Sequence, residues 1–203
     1  MKIGIYGGTF NPPHLGHLAA ARTALDALKL DKLILMPAAV PPHKVLPENS
    51  PAQEHRLAMV ERMADAMECP GAVEVSTLEL EREGKSYTSD TLEAIHRQYP
   101  EAELWLLMGT DMFLTLHLWH EPGTILRLAG ICAFGRSEQD GEDVFAPQRE
   151  FLSKTYPDAR IATITLPGLV DISSTQLREL LARERGSEYP VSYTHLTLPT
   201  TSR

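Results

Sequence analysis

Two histidines stand three residues apart in the run GGTFNPPHLGH (7–17), His14 and His17 with Leu15 and Gly16 between them. Imidazoles at that spacing lie on one side of a helix start, so a single ligand can meet both. Three kinds of chemistry use such a pair. As phosphate ligands the rings donate hydrogen bonds, and each can carry positive charge near neutral pH. As metal ligands they need a third partner and set a cation against the positive end of a helix, which is unfavourable. As structural groups they cap a turn. The neighbours favour phosphate. Gly7 and Gly8 follow the apolar run KIGIY (2–6), and glycine there opens backbone angles closed to other residues and lets a ligand approach the main chain. A helix beginning near Leu15 offers unpaired N–H groups, and Gly16 removes a side chain from the approach. The run is not a G-x-G-x-x-G fingerprint, and no lysine follows at Walker spacing.

The elements that must hold these groups alternate between short apolar runs and longer amphipathic ones. Strands are expected at 2–6, 32–37, 72–76, 102–109, 130–136 and 160–166, and helices at 15–29, 52–67, 89–99, 147–156 and 172–186. TDMFLTLHLW (110–119) and EPGTILRLA (121–129) read as helical turns, and AAVPPHKVLPENSP (38–51) as a Pro-rich loop. Ser173, with Gln176 three residues on, makes a capping box for the last helix. This alternation predicts an α/β fold, a Rossmann-like parallel sheet with helices on both faces. With 203 residues the chain suits one domain, expected over 1–189, and SEYPVSYTHLTLPTTSR (187–203) reads as a disordered or non-native tail from about residue 190.

Composition narrows the class. A formal net charge of −8 argues against sequence-independent nucleic-acid binding, although an acidic protein can still hold a locally positive pocket. Two cysteines, Cys69 and Cys132, without CxxC spacing suit reduced thiols. The opening MKIGIYGG reads as a strand rather than a signal peptide, and no apolar run reaches membrane-spanning length. A soluble cytoplasmic protein without membrane or nucleic-acid partners is the expectation, with a homo-oligomer left open.

GGTFNPPHLGH resembles the first signature of the H-x-G-H nucleotidyltransferase superfamily, and ISSTQLR (172–178) resembles its second, I-S-S-T-x-x-R. Within that superfamily, PPHK (41–44), YTSDTL (87–92) and GTD (109–111) with Trp119 are similar to the bacterial nicotinate mononucleotide adenylyltransferase family. The resemblance runs over roughly residues 1–189 and implies a nucleotidyltransferase-type fold. It also implies AMP transfer from ATP to nicotinate mononucleotide, giving deamido-NAD and pyrophosphate. The attacking phosphate oxygen already carries charge, since a phosphomonoester's second pKa is about 6, so no general base is required. The burden is to align two polyanions and neutralise charge as it moves, which suits His, Lys, Arg, Ser and Thr together with Mg²⁺.

By that resemblance, the main chain of Gly8, Thr9 and Phe10 meets the nucleotides. His14 and His17 hold ATP phosphates, with His17 nearest the α-phosphate. Ser174, Thr175 and Arg178 hold the β- and γ-phosphates at a second helix start. Lys44 brings a point charge from the Pro-rich loop, and Arg136 meets ATP from a strand end. The catalytic set is therefore His14, His17, Lys44 and Arg178. The acceptor nucleotide falls to Lys44, Thr88, Asp111 and Trp119, the tryptophan offering a flat face to the pyridine ring. Mg²⁺ is expected to be bound mainly through phosphates and water, with no direct protein ligand.

Other features read more plainly. His55, His96, His117, His120 and His195 are taken as surface or packing residues, LELEREGK (78–85) as a solvated strand edge and turn, and the methionines as core. The last stretch departs from the family, which closes with a further helix, so lower thermal stability is expected than with that helix restored. Two alternatives remain from the sequence. One is a related adenylyl- or cytidylyltransferase taking nicotinamide mononucleotide, phosphopantetheine or glycerol phosphate. The other is a nucleotide-binding regulatory module without turnover.

Overall fold

A computed structural model of the chain describes residues 1–39, 47, 50–135, 141–166 and 173–185. Six parallel strands form one sheet in the order β3-β2-β1-β4-β5-β6. They are β1 (Lys2–Gly8), β2 (Lys32–Pro37), β3 (Val73–Val75), β4 (Glu103–Gly109), β5 (Ala129–Gly135) and β6 (Ile161–Thr165). Successive strands are added in one direction from β1 to β3 and in the other from β4 to β6, and the carboxyl ends of β1 and β4 flank the crevice where ligands bind in such sheets.

Alternation along each strand serves two cores. Ile3 and Ile5 of β1, Ile34 and Met36 of β2, and Leu104, Leu106 and Met108 of β4 face one side. Tyr6, Leu33, Leu35, Trp105 and Leu107 face the other. Because neighbouring side chains in a strand point to opposite faces, strands covered on both sides read as continuous apolar runs. The first face packs on Leu92 and Ile95 of α3 (Thr88–Gln98), Phe113 of α4 (Thr110–Leu114) and Ile125 of α5 (Pro122–Leu128), with Phe145 and Leu152 of α6 (Glu142–Thr155). The second packs on Leu18, Ala21 and Ala24 of α1 (Leu15–Leu28) and Val60 and Met63 of α2 (Gln53–Asp65).

Most expected elements lie within two residues of these bounds, but α6 does not. Expected from Pro147, it begins at Glu142 and carries Pro147 in its interior. Glu142 and Asp143 in its first turn suit the positive helix end, and buried Phe145 lies on the same face as Gln148 and Leu152. Residues 78–85 are turn and bend rather than strand edge, and Glu79 is only 8% exposed. Met112, taken as core, is exposed, as is Met1. The last helix, α7 (Ser174–Arg185), starts as its capping box predicts: Gln176 N–H donates to Ser173 Oγ at 3.2 Å, and Ser173 N–H to Gln176 Oε1 at 2.7 Å. The tail expectations, including its effect on stability, lie outside the described residues.

Candidate functional site

His14 caps α1 in an extended conformation, and its backbone N–H donates to Nδ1 of His17 at 3.2 Å. A backbone N–H can only donate, so Nδ1 of His17 presents its lone pair and the neutral ring carries its proton on Nε2. The ring is held by packing as well. Its centroid lies 3.8 Å from that of His14, 5.1 Å from Phe10 and 6.0 Å from Tyr6. The spacing of three therefore does more than put two imidazoles on one side, because one histidine's main chain fixes the other's tautomer.

The glycines act differently from the sequence expectation. Gly7 and Gly8 continue β1, paired with Met36 and Pro37, and neither has a positive φ. The left-handed conformation falls on buried Phe10, at φ 47°. Gly8 leaves room for a close neighbour, since a Cβ there would lie 3.2 Å from the Phe10 ring. A Cβ at Gly7 would meet nothing within 4 Å, so this position opens outward at the strand's carboxyl end.

The second signature meets the first here. Ser174 Oγ donates to the Pro12 carbonyl at 2.8 Å, and Arg178 Nη1 to the Asn11 carbonyl at 2.6 Å. Arg178 Nη2 also donates to Thr175 Oγ1 at 3.1 Å, and a guanidinium with five N–H groups keeps further donors beyond these. Asn11 is buried, and its Nδ2 reaches Ser50 Oγ at 2.8 Å across the mouth of the following loop.

One buried charge beside the β1–α1 loop went unseen in the sequence. Arg56 of α2 is 2% exposed, and its Nη1 donates to the carbonyls of Thr9 (2.9 Å) and Ala38 (2.6 Å). Its Nη2 reaches the Ala39 carbonyl at 3.4 Å. Burial lowers its pKa from the ordinary arginine value, opposed by nearby Glu54. A signal was present. Arg56 heads the buried stripe continued by Met59, Val60 and Met63, a helical face on which a charge needs a reason.

On the far side of the crevice, Asp111 is exposed in the first turn of α4, directly after β4, while Thr110 Oγ1 donates to the Phe134 carbonyl at 3.0 Å. Trp119 follows a 3₁₀ turn at Leu116–Leu118 and packs half-buried against the first core. Thr88 is the first residue of α3, and Tyr87 rather than Thr88 occupies the cap. The rings of Tyr87 and His120 lie 4.2 Å apart, joining the start of α3 to the segment bearing Trp119. Behind it, Thr91 Oγ1 donates to Glu79 Oε1 at 2.8 Å, and burial pushes the Glu79 carboxyl above its ordinary pKa despite that bond and Arg82. His117 packs as expected, with Nδ1 3.0 Å from Gln148 Nε2. Lys44 and Arg136 lie outside the described residues.

The site thus gathers imidazole, hydroxyl, guanidinium and main-chain donors at the carboxyl end of β1, with Asp111 just after the neighbouring strand β4. That donor set suits a phosphorylated ligand. The family model for cytidylyltransferase-like proteins matches residues 5–180. A Trichlorobacter lovleyi protein described as a probable nicotinate-nucleotide adenylyltransferase is 39% identical over 202 residues, covering 94% of this chain and 92% of its own. One of the same description from Exiguobacterium sibiricum is 37% identical over 191 residues, with the same coverage of 94% and 92%. The fold matches the nicotinic acid mononucleotide adenylyltransferase of Plasmodium falciparum complexed with NaAD at a TM-score of 0.71 and 18% identity, over 90% of this chain and 85% of that one.

Proposed function

The chain belongs to the nicotinate-nucleotide adenylyltransferases of the cytidylyltransferase-like family, and from that premise we propose how its residues carry out the reaction. The reaction is transfer of AMP from ATP to nicotinate mononucleotide, forming deamido-NAD and pyrophosphate for NAD biosynthesis. The observation that carries the assignment of residues is the docking of α7 onto the β1–α1 loop, through Ser174 on Pro12 and Arg178 on Asn11. It brings the donors of two signatures, about 160 residues apart in sequence, to one place.

ATP lies along the β1–α1 loop, against the main chain of Gly8, Thr9 and Phe10. His17 presents Nε2–H toward the α-phosphate, because its Nδ1 is occupied by the His14 N–H. A donor fixed before the reaction pays no reorganisation as charge builds on that phosphate. His14 joins it, while Arg178, Ser174 and Thr175 take the β- and γ-phosphates as they become pyrophosphate, with Lys44 and Arg136 as further cations. The acceptor's pyridine lies on Trp119, its carboxylate at the N–H groups and hydroxyl of Thr88, and its ribose against Asp111. The two reactants then meet in line across β1 and β4, and the phosphomonoester attacks without a general base.

The donor set of the loop is imidazole, hydroxyl and guanidinium, with no hard anionic oxygen, which fits Mg²⁺ held by phosphates and water rather than by the chain. When bound, it neutralises charge on the α-phosphate and the leaving pyrophosphate. No helix among the described residues is long and apolar enough to cross a membrane, and we place the reaction in the cytoplasm.

Pyrophosphate release from ATP and Mg²⁺, measured with each acceptor in turn, tests this reading. Nicotinate mononucleotide is expected to support the fastest release. Preference for nicotinamide mononucleotide or phosphopantetheine would reassign the acceptor, and no release with any acceptor would remove the enzyme reading.

A further inference from the structure

We infer that Arg56 is a positioning residue for ATP: its buried guanidinium fixes the peptide planes after β1 and β2 and places positive charge behind them. It rests on the assignment of the β1–α1 loop to ATP. The three carbonyls it binds belong to two loops, Thr9 after β1 and Ala38 and Ala39 after β2. In a trans peptide the C=O and the following N–H point in opposite directions. The Thr9–Phe10 peptide is trans, the cis bond of this loop being Asn11–Pro12. With the Thr9 carbonyl turned inward to Arg56, the Phe10 N–H is turned outward, away from α2. The Ala38 carbonyl does the same for the Ala39 N–H, and the two loops are further joined by Ala38 N–H on the Gly8 carbonyl at 2.9 Å. One planar fork thus sets the direction of two main-chain donors at the end of the sheet where the phosphates come.

Charge adds to the geometry. Among the described residues no carboxylate lies within ion-pair distance of Arg56, so its partners are neutral carbonyls. A buried cation without an ion-pair partner is costly, and the protein keeps this one 2% exposed, with Glu54 acting on it only from beyond ion-pair distance. An arriving polyanion adds negative charge to that of Glu54, and its field is poorly screened at that depth. Lysine keeps the charge but loses the fork, and methionine keeps the stem but loses both.

The full chain, Arg56→Lys and Arg56→Met are compared by steady-state pyrophosphate release with each substrate varied. ATP is also titrated calorimetrically, and folding is checked by near-UV circular dichroism and melting. Misdirected main-chain donors are expected to raise the KM and Kd for ATP about tenfold in Arg56→Lys and about a hundredfold in Arg56→Met. The KM for nicotinate mononucleotide should rise several-fold less than that for ATP, as Arg56 touches neither Thr88, Asp111 nor Trp119 and reaches the acceptor side only through the start of the loop that bears Lys44. Three results overturn the inference: an unchanged ATP affinity in folded Arg56→Lys, an equal rise in both KM values, or neither variant folding, which would leave Arg56 a role in the fold alone. If the parent chain releases no pyrophosphate, the reaction assignment fails separately, and the calorimetric Kd values still decide the role of Arg56.

Discussion

His17 is fixed by a hydrogen bond on one ring nitrogen and by aromatic neighbours around the ring, and in the proposed reading the other nitrogen is its working atom. Removing one such preorganised donor commonly costs about 10²–10³ in kcat. His17→Ala is expected to lose kcat on that scale while its melting temperature stays within a few degrees; single-turnover AMP transfer measures it, and unchanged turnover would take His17 out of the mechanism. Trp119 is assigned by the proposed reading to the other substrate. Aromatic contacts are worth about 0.5–1.5 kcal/mol beyond area, so Trp119→Ala should raise the KM for nicotinate mononucleotide about tenfold, with Trp119→Phe recovering most of it. An equal effect on ATP would show that the tryptophan only packs. The histidines were legible because their partners are near in sequence: His17 needs His14, three residues away. Arg56 was not, because its carbonyl partners lie 47, 18 and 17 residues back and are main chain, which carries no residue-type signal. The left-handed turn was placed on the glycines by propensity, whereas tertiary packing put it on Phe10 beside Gly8.

Strands were readable from continuous apolar runs because both faces of this sheet are covered, whereas order and neighbours depend on contacts that periodicity does not encode. Pro147 hid the start of α6, since a proline inside a run usually marks a boundary. Glu79 was misread because acidic residues in a polar run usually face water, and only the approach of Thr91 gives it a buried partner. The element level carries its own tests. A Cβ at Gly130 of β5 would lie 2.8 Å from the Trp105 ring. That ring donates its Nε1–H to Glu103 at 2.9 Å and lies 5.6 Å from the Arg160 guanidinium, so moving it disturbs both contacts. Gly130→Ala should therefore cost about 1–3 kcal/mol by denaturant unfolding, and a cost near zero would mean that the β4–β5 packing is looser than this. At Glu79 the sign follows from its raised folded-state pKa. The native state holds the proton more tightly, so stability is greater at low pH and falls as pH rises from the ordinary carboxylate value through the raised one. Glu79→Gln should flatten that part of the stability–pH curve; parallel curves would show that the shift is absent.

The whole molecule is acidic, with a formal net charge of −8, yet it brings His14, His17, Arg56 and Arg178 to one end of the sheet. Local charge of the opposite sign to the body attracts polyanions without making the surface generally basic. The order with β1 beside β4 then divides the labour. In the proposed reading the β1–α1 loop with α7 is one half of the site, and the segment after β4 with the start of α3 is the other. On that reading a mononucleotide engages one half, whereas the dinucleotide product engages both, and linking two binding groups makes the second contact intramolecular. Ligands that bind only the folded chain stabilise it by about 2.7 kcal/mol at a hundredfold excess over Kd. For a chain of this length each kcal/mol corresponds to about 2–4 °C in Tm. At one common concentration of about 1 mM, deamido-NAD should therefore raise Tm by several degrees more than either ATP or nicotinate mononucleotide alone. Arg178→Ala should reduce the shift with ATP while leaving those with deamido-NAD and nicotinate mononucleotide nearly intact, since neither carries the β- and γ-phosphates assigned to Arg178. Trp119→Ala should do the converse, sparing only the ATP shift. A dinucleotide shift no larger than that of ATP, or one insensitive to Trp119, would mean that the half beyond β4 is not a binding surface and that the acceptor is held elsewhere.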